Sequence, residues 1–220
     1  SFALTAADGK ALPVQTWPLA YWPDGSIKWS GFATVGGPQT TGSVKLVMGR
    51  AAPPAGPTVQ VTQTAQAIDI DTGGLKCRIP KQGPYLVQSM SIDGREIASK
   101  GRLVCVLQNG AQLDVDKVPP LEKFISEIKQ VTVEQSGPVR AVVKFDGAHK
   151  GAKSGREWLP FNVRLYFYSG ETSVRMVHTI FFDGDQEKDF IHGLGITFAV
   201  PLREEIQNRD VRFSGEGDGL

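Results

Sequence analysis

The sequence predicts an all-β chain dominated by a large antiparallel β-sandwich, and three observations carry that reading. Val, Ile, Thr, Phe and Tyr recur in short runs with a two-residue period, the period of a strand with one buried face. No window holds apolar residues at the 3.6-residue period of an amphipathic helix. The 25 glycines and 14 prolines fall largely between the alternating runs, where turns need a positive or a fixed φ. Many short strands closed by regular turns form the pattern of a sandwich.

A first unit spans residues 1–49. Phe2–Leu4 alternates and is followed by a turn at Asp8-Gly9. Val14–Thr34 reads as strand, turn and strand. Gln15, Trp17, Leu19 and Tyr21 share one phase, Pro23-Asp24-Gly25-Ser26 supplies the turn, and Ile27, Trp29 and Gly31 return opposite Lys28, Ser30 and Phe32. Ser43–Met48 closes the unit. Residues 50–57, RAAPPAGP, are small, proline-rich and aperiodic, and read as a linker. A second unit, 58–220, carries strands at Thr58–Gln63, Ala67–Asp71, Leu75–Pro80, Tyr85–Asp93, Arg95–Ala98, Gly101–Asn109, Lys123–Glu134, Val139–Gly147, Glu157–Tyr168, Thr172–Asp183 and Gly193–Leu202. Asn109-Gly110 is a hairpin signal, and Ser169-Gly170-Glu171 has hairpin length, so the strands flanking it should pair. Arg203–Asn208 reads as a short helix or a loop.

Composition removes several function classes. With 24 basic and 23 acidic residues the net charge is +1, so there is no nucleic-acid footprint. No apolar run reaches the ~18–20 residues that cross a bilayer. The chain starts already alternating and stops in loop-like sequence, which reads as a fragment of a longer polypeptide, so the lack of a leader says nothing about export. Cys77 and Cys105 both sit on apolar phases; they are two buried thiols or a cross-strand disulfide. No GxSxG, P-loop, GxGxxG or HExxH motif is present, and Gly193-Leu194-Gly195 precedes a strand rather than a helix.

Two neighbouring strands carry the most chemistry. In Phe161–Tyr168, Phe161, Val163, Leu165 and Phe167 take one face, while Asn162, Arg164, Tyr166 and Tyr168 take the other. In Ser173–Phe182, His178 shares a side with Val174, Met176 and Ile180, and Arg175 lies opposite. A face of Asn, Arg and Tyr suits a hydroxyl-rich or carboxylated ligand, and it equally suits a solvated sheet face. His178 reads as a hydrogen-bonded core histidine as readily as a base. His192 stands at the exit of a polar loop, and His149 in a flexible glycine-flanked loop. Asp183, Asp185 and Asp189 raise calcium, but without EF-hand spacing, so no cofactor is expected. Trp17, Trp22 and Trp29, three of the chain's four tryptophans, form either a packed corner or a sugar-stacking surface; the packed corner is the usual place for large aromatics.

TWPLAYWPDGSIKW (Thr16–Trp29) resembles the N-terminal signature of the exo-acting rhamnogalacturonan lyase/YetA-like family. REWLPFNVRLYFYSG (Arg156–Gly170), VRMVHTIFFDGD (Val174–Asp185) and KDFIHGLGITFAVPL (Lys188–Leu202) are similar to its second domain. The resemblance implies a small N-terminal RIFT-type barrel, a central β-sandwich and a C-terminal α/α toroid that this chain lacks. It implies β-elimination on acidic, uronate-containing plant or gum polysaccharide, in a periplasmic or secreted protein with no nucleic-acid or membrane partner. Such chemistry needs a base for the C5 proton, a partner for the carboxylate and an acid for the leaving oxygen. By residue type and face, the candidates are His192 or His178 as base, Tyr166 as acid, Arg164 or Arg175 as carboxylate partner, and Asn162 and Trp22 as further substrate contacts. The decisive groups are expected in the toroid or at its interface with the sandwich. The alternatives are a non-catalytic carbohydrate-binding module and a purely structural β domain.

Overall fold

A computed structural model of the chain describes residues 2–209 apart from 38, 39, 51–55, 113, 115 and 118. All strand pairings described are antiparallel, and no α-helix occurs among the described residues. In the first unit β1 (Phe2–Thr5) lies between β2 (Ala11–Leu12) and β5 (Lys45–Met48), while β3 (Gln15–Tyr21) and β4 (Ile27–Ala33) pair as a separate ribbon. Leu4, Ala6, Leu12 and Val14 make its small core. The β3–β4 turn forms as its sequence demands: Asp24 Oδ1 accepts hydrogen bonds from the backbone N–H and the hydroxyl of Ser26, and Gly25 takes φ 83°.

The second unit runs β6 (Gln60–Gln63), β7 (Ala67–Asp71), β8 (Lys76–Pro80), β9 (Val87–Ile92), β10 (Arg95–Asn109), β11 (Leu121–Ser136), β12 (Arg140–Gly151), β13 (Glu157–Tyr168), β14 (Val174–Ile180) and β15 (Asp189–Ala199). β6 to β14 pair in chain order, and β15 adds to the free edge of β10. β10 serves both leaves of the sandwich: its first half pairs with β9 and its second with β11. Alternate residues of the two leaves meet in one core, Ile68, Ile70, Cys77 and Ile79 with Val143, Phe145, Val163, Leu165 and Phe167. Cys77 and Cys105 are buried free thiols, so the disulfide alternative is not realised; burial pushes Cys77 up to about 12 and Cys105 up to about 11.

Several boundaries differ from the sequence reading, each for a packing reason. β10 continues through Lys100-Gly101, where a side chain on Gly101 would meet Phe198 and Val87. β12 continues past Gly147 to Gly151, so His149 is not in a flexible loop but wholly buried on a strand (0% exposed). At Gly147 a Cβ would run into the Glu127 carbonyl and come within 2.7 Å of the Phe161 ring; this glycine allows two strands to approach rather than making a turn. Asn109-Gly110 opens a longer connection, closed where Asn109 N–H donates to the Pro120 carbonyl at 2.9 Å. β13 and β14 pair across Ser169-Gly170-Glu171, as their spacing predicts. Of the linker residues 50–57, residues 51–55 lie outside the described residues. Pro57 accepts a hydrogen bond from the Ser169 hydroxyl, and Val59 N–H donates to Pro138 at 2.9 Å.

Gly147→Ala is expected to cost about 1–3 kcal/mol, because the added methyl meets backbone on one side and a core ring on the other. Urea unfolding followed by circular dichroism measures it.

Candidate functional site

Because β13 and β14 pair residue to residue, their outer faces form one surface. Tyr166 lies opposite Arg175, Arg164 opposite Val177 and Asn162 opposite Thr179. β12 extends it, with Lys144 opposite Arg164 and Asp146 opposite Asn162. Charge pairing divides this face in two. Arg164 donates from Nε and Nη2 to the two oxygens of Glu134 at 2.8 and 2.9 Å, and from Nη1 to Asn162 at 2.7 Å. Asn162 donates to Asp146 at 2.6 Å, and Asp146 takes Lys144 at 3.0 Å. Glu134 beside Arg164 raises its already high pKa. Arg164 and Asn162 therefore hold each other and two acidic side chains of the chain itself. Arg175 stands differently: its guanidinium lies 5.4 Å from the Tyr166 ring, and it has no carboxylate partner among the described residues.

The other side of Tyr166 is occupied by a residue that the sequence reading did not single out. The Arg140 guanidinium lies 5.8 Å from the Tyr166 ring and 4.0 Å from the Trp17 ring. Trp17 is brought there by the β3–β4 ribbon. Gln15, 8% exposed, accepts backbone N–H bonds from Val139 at 3.0 Å and Arg140 at 2.8 Å. Gly31, opposite Trp17, leaves room for the indole; a Cβ there would lie 2.6 Å from its Nε1. The ribbon's far end is not a packed corner: Trp22 is 50% and Trp29 62% exposed, and Lys28 Nζ lies 4.3 Å from the Trp22 ring. No signal in the sequence points to Arg140, because Gln15 and Trp17, which set it apart from the other arginines, come from the other unit.

The histidines lie apart from this face, and His192 lies apart from the other two. His178 points to the core side of β14, near the buried His149, with ring centroids 6.1 Å apart. His149 Nδ1 contacts the Leu159 carbonyl at 2.8 Å, and Nε2 of each ring has no hydrogen-bond partner. His192 lies on the exposed β15, its Nδ1 3.2 Å from Gln108 Oε1. The structure thus brings Asn162, Arg164, Tyr166 and Arg175 together, and leaves His178, His192 and Trp22 on three separate surfaces.

The comparisons with known proteins fit this two-unit architecture. Residues 1–49 match the PcRGLX-like N-terminal RIFT barrel domain, and residues 59–220 the PcRGLX-like protein central beta sandwich domain. The chain belongs to the PcRGLX-like family. The uncharacterized protein YetA of Bacillus subtilis (strain 168) is 42% identical over 214 residues, covering 97% of this PcRGLX-like chain and 25% of the relative. The chain therefore spans about a quarter of the length of that relative.

In this PcRGLX-like chain the aspartates of the β14–β15 connection serve the fold. Asp189 receives Arg156 at 2.8 and 2.7 Å and the Asp185 N–H at 2.8 Å. The Arg156 guanidinium holds its carboxyl below the usual range. Asp183 accepts the N–H of Leu159 at 2.9 Å, where φ is +53°. Among the described residues no group of three or more His, Cys, Asp or Glu is arranged to hold a metal ion.

Burial lowers the pKa of both His149 and His178 below the ordinary 6.5, and for His178 the neighbouring His149 lowers it further. Both are neutral in the fold, whereas an unfolded chain takes up protons as pH falls below 6.5. Their contribution to stability is complete above that pH and is lost progressively as pH falls from it through their lowered values in the fold. Thermal unfolding followed from neutral pH downward should show a falling midpoint, and His178→Leu should flatten that fall.

Proposed function

We propose that this chain is the N-terminal β portion of a polysaccharide lyase that cleaves acidic, uronate-containing plant or gum polysaccharide by β-elimination. In this reading the chain holds saccharide, and an α/α toroid of the same polypeptide supplies proton transfer, in the periplasm or outside the cell where such polymers are met. Family membership over both units supports it. The observation that carries it is the outer face of β12–β14, where polar and aromatic side chains line up beside the β3–β4 ribbon. Carbohydrate sites combine such aromatic rings with directed hydrogen-bond donors. The histidines do not share this face, so base catalysis is assigned to neither His178 nor His192. Tyr166 serves as a ring and hydroxyl contact rather than as an acid.

A binding module without catalysis is the second reading, favoured by the exposure of Trp22 and Trp29. Incubating the full-length protein with rhamnogalacturonan and with rhamnose-capped glucuronate gum, while following the absorbance of unsaturated uronate, separates the two. The lyase reading expects a rise on one of them. No rise, together with heat of binding in calorimetry, replaces it with the binding module.

A further inference from the structure

We propose that Arg140, Tyr166 and Arg175, roofed by Trp17, form a carboxylate-directed sugar subsite that exists only when the two units are docked. The assignment rests on the saccharide-holding role proposed above and names the group that is recognised. Charge bookkeeping selects these residues. Arg164 and Lys144 on the same face are already neutralised by Glu134 and Asp146. Arg140 and Arg175 pair with no carboxylate among the described residues. They approach the same ring, Tyr166, from the two neighbouring strands at 5.8 and 5.4 Å. Two cations flanking one ring, neither matched by a carboxylate, attract an external anion without displacing an existing ion pair. Guanidinium also presents paired donors that match a carboxylate.

The rest of the geometry favours a sugar acid over an acidic peptide. The Arg140 guanidinium lies 4.0 Å from the Trp17 ring, and its Nε is committed to Gln135 at 2.7 Å. Its planar group is therefore fixed before ligand arrives, which reduces the ordering cost of binding. Tyr166 supplies an aromatic ring next to the cations, suited to a pyranose whose carboxylate reaches the guanidiniums, while Trp17, packed between Gly31 and Arg140, holds the Arg140 guanidinium in place. The composite construction follows from Gln15. Its two hydrogen bonds, to the backbone N–H groups of Val139 and Arg140, anchor the strand that carries Trp17 beside Arg140.

The test uses the full-length protein, with trigalacturonate, its carboxyl-reduced counterpart and triglutamate as probes in calorimetry. Trigalacturonate should bind, and binding should weaken with added salt. Arg175→Ala and Arg140→Ala should each raise its Kd about tenfold or more, and Trp17→Ala should also weaken it. Arg175→Gln keeps the side chain's length and shows whether loss of charge alone is responsible; circular dichroism confirms that each variant folds. No binding by the unmodified protein overturns the proposal. So do equal binding of the carboxyl-reduced sugar, equal binding of triglutamate, or arginine variants that bind as the unmodified protein does. If unsaturated uronate forms while these variants bind normally, the subsite fails and the lyase reading stands. If the variants lose binding but no unsaturated uronate forms in any assay, the subsite stands and the lyase reading fails.

Discussion

The Gln15 side-chain carbonyl ties the two units together. Gln15 is nearly buried, and its Oε1 satisfies the backbone N–H groups of both Val139 and Arg140. A buried amide left without a partner costs on the order of 1–3 kcal/mol, so one glutamine offsets two such costs at the start of β12. The consequence reaches beyond stability. Gln15 and Trp17 lie on the same face of β3, so fixing the first places the second over the Arg140 guanidinium. The same end of the sandwich is tied internally: the Thr72 hydroxyl donates to the Glu171 carbonyl at 2.7 Å, and Gly170 N–H to Thr72 at 2.7 Å. The ribbon therefore docks on a braced set of turns.

Pairing, more than residue type, distinguishes the arginines of the outer face. Arg164 sits centrally and carries every attribute a ligand-binding arginine needs, but two hydrogen bonds to Glu134 and one to Asn162 use its donors. To release it, a ligand would have to replace a bidentate ion pair already formed. Arg175, on the edge strand, lies beside the Tyr166 ring and has no carboxylate partner among the described residues. An external carboxylate meets less competition there, and the edge position leaves room for the rest of a saccharide to extend past β14.

The legible part of this chain was its alternation. The buried set Phe161, Val163, Leu165 and Phe167, the polar set opposite, and the β13–β14 hairpin all follow from a two-residue period and a short glycine-containing connection (169–173), which are local properties. Glycine misled where it served packing: Gly147 and Gly151 flank His149 as a loop would, yet each lies where a side chain would strike a neighbouring strand or turn. The tryptophans misled in the opposite sense. Their hydrophobicity suggested a core, but a ribbon of two strands has too little surface opposite Trp22 and Trp29 to bury them. Arg140 was illegible for a simpler reason: Gln15 and Arg140 are 125 residues apart, and no pattern within either segment shows that they meet.

The half-buried His178 and the exposed Arg175 divide the chemistry of β14 between its two sides. His178 faces inward, where its neutral ring packs near His149 and Phe161; Arg175, three residues earlier, faces outward. A general base must reach its proton within about 2.6–3.2 Å, and the buried Nε2 of the half-buried His178 faces the core rather than this outer face. A carboxylate partner needs only to be exposed, charged and free of a carboxylate, which Arg175 is among the described residues. On the proposed reading, elimination requires a uronate to be held while proton transfer occurs elsewhere in the longer protein. Binding energy gathered at groups remote from the reacting bond can be used to orient that bond. A subsite on this β portion would therefore act on kcat as well as on KM, and truncating the saccharide that reaches it would slow turnover rather than merely weaken binding.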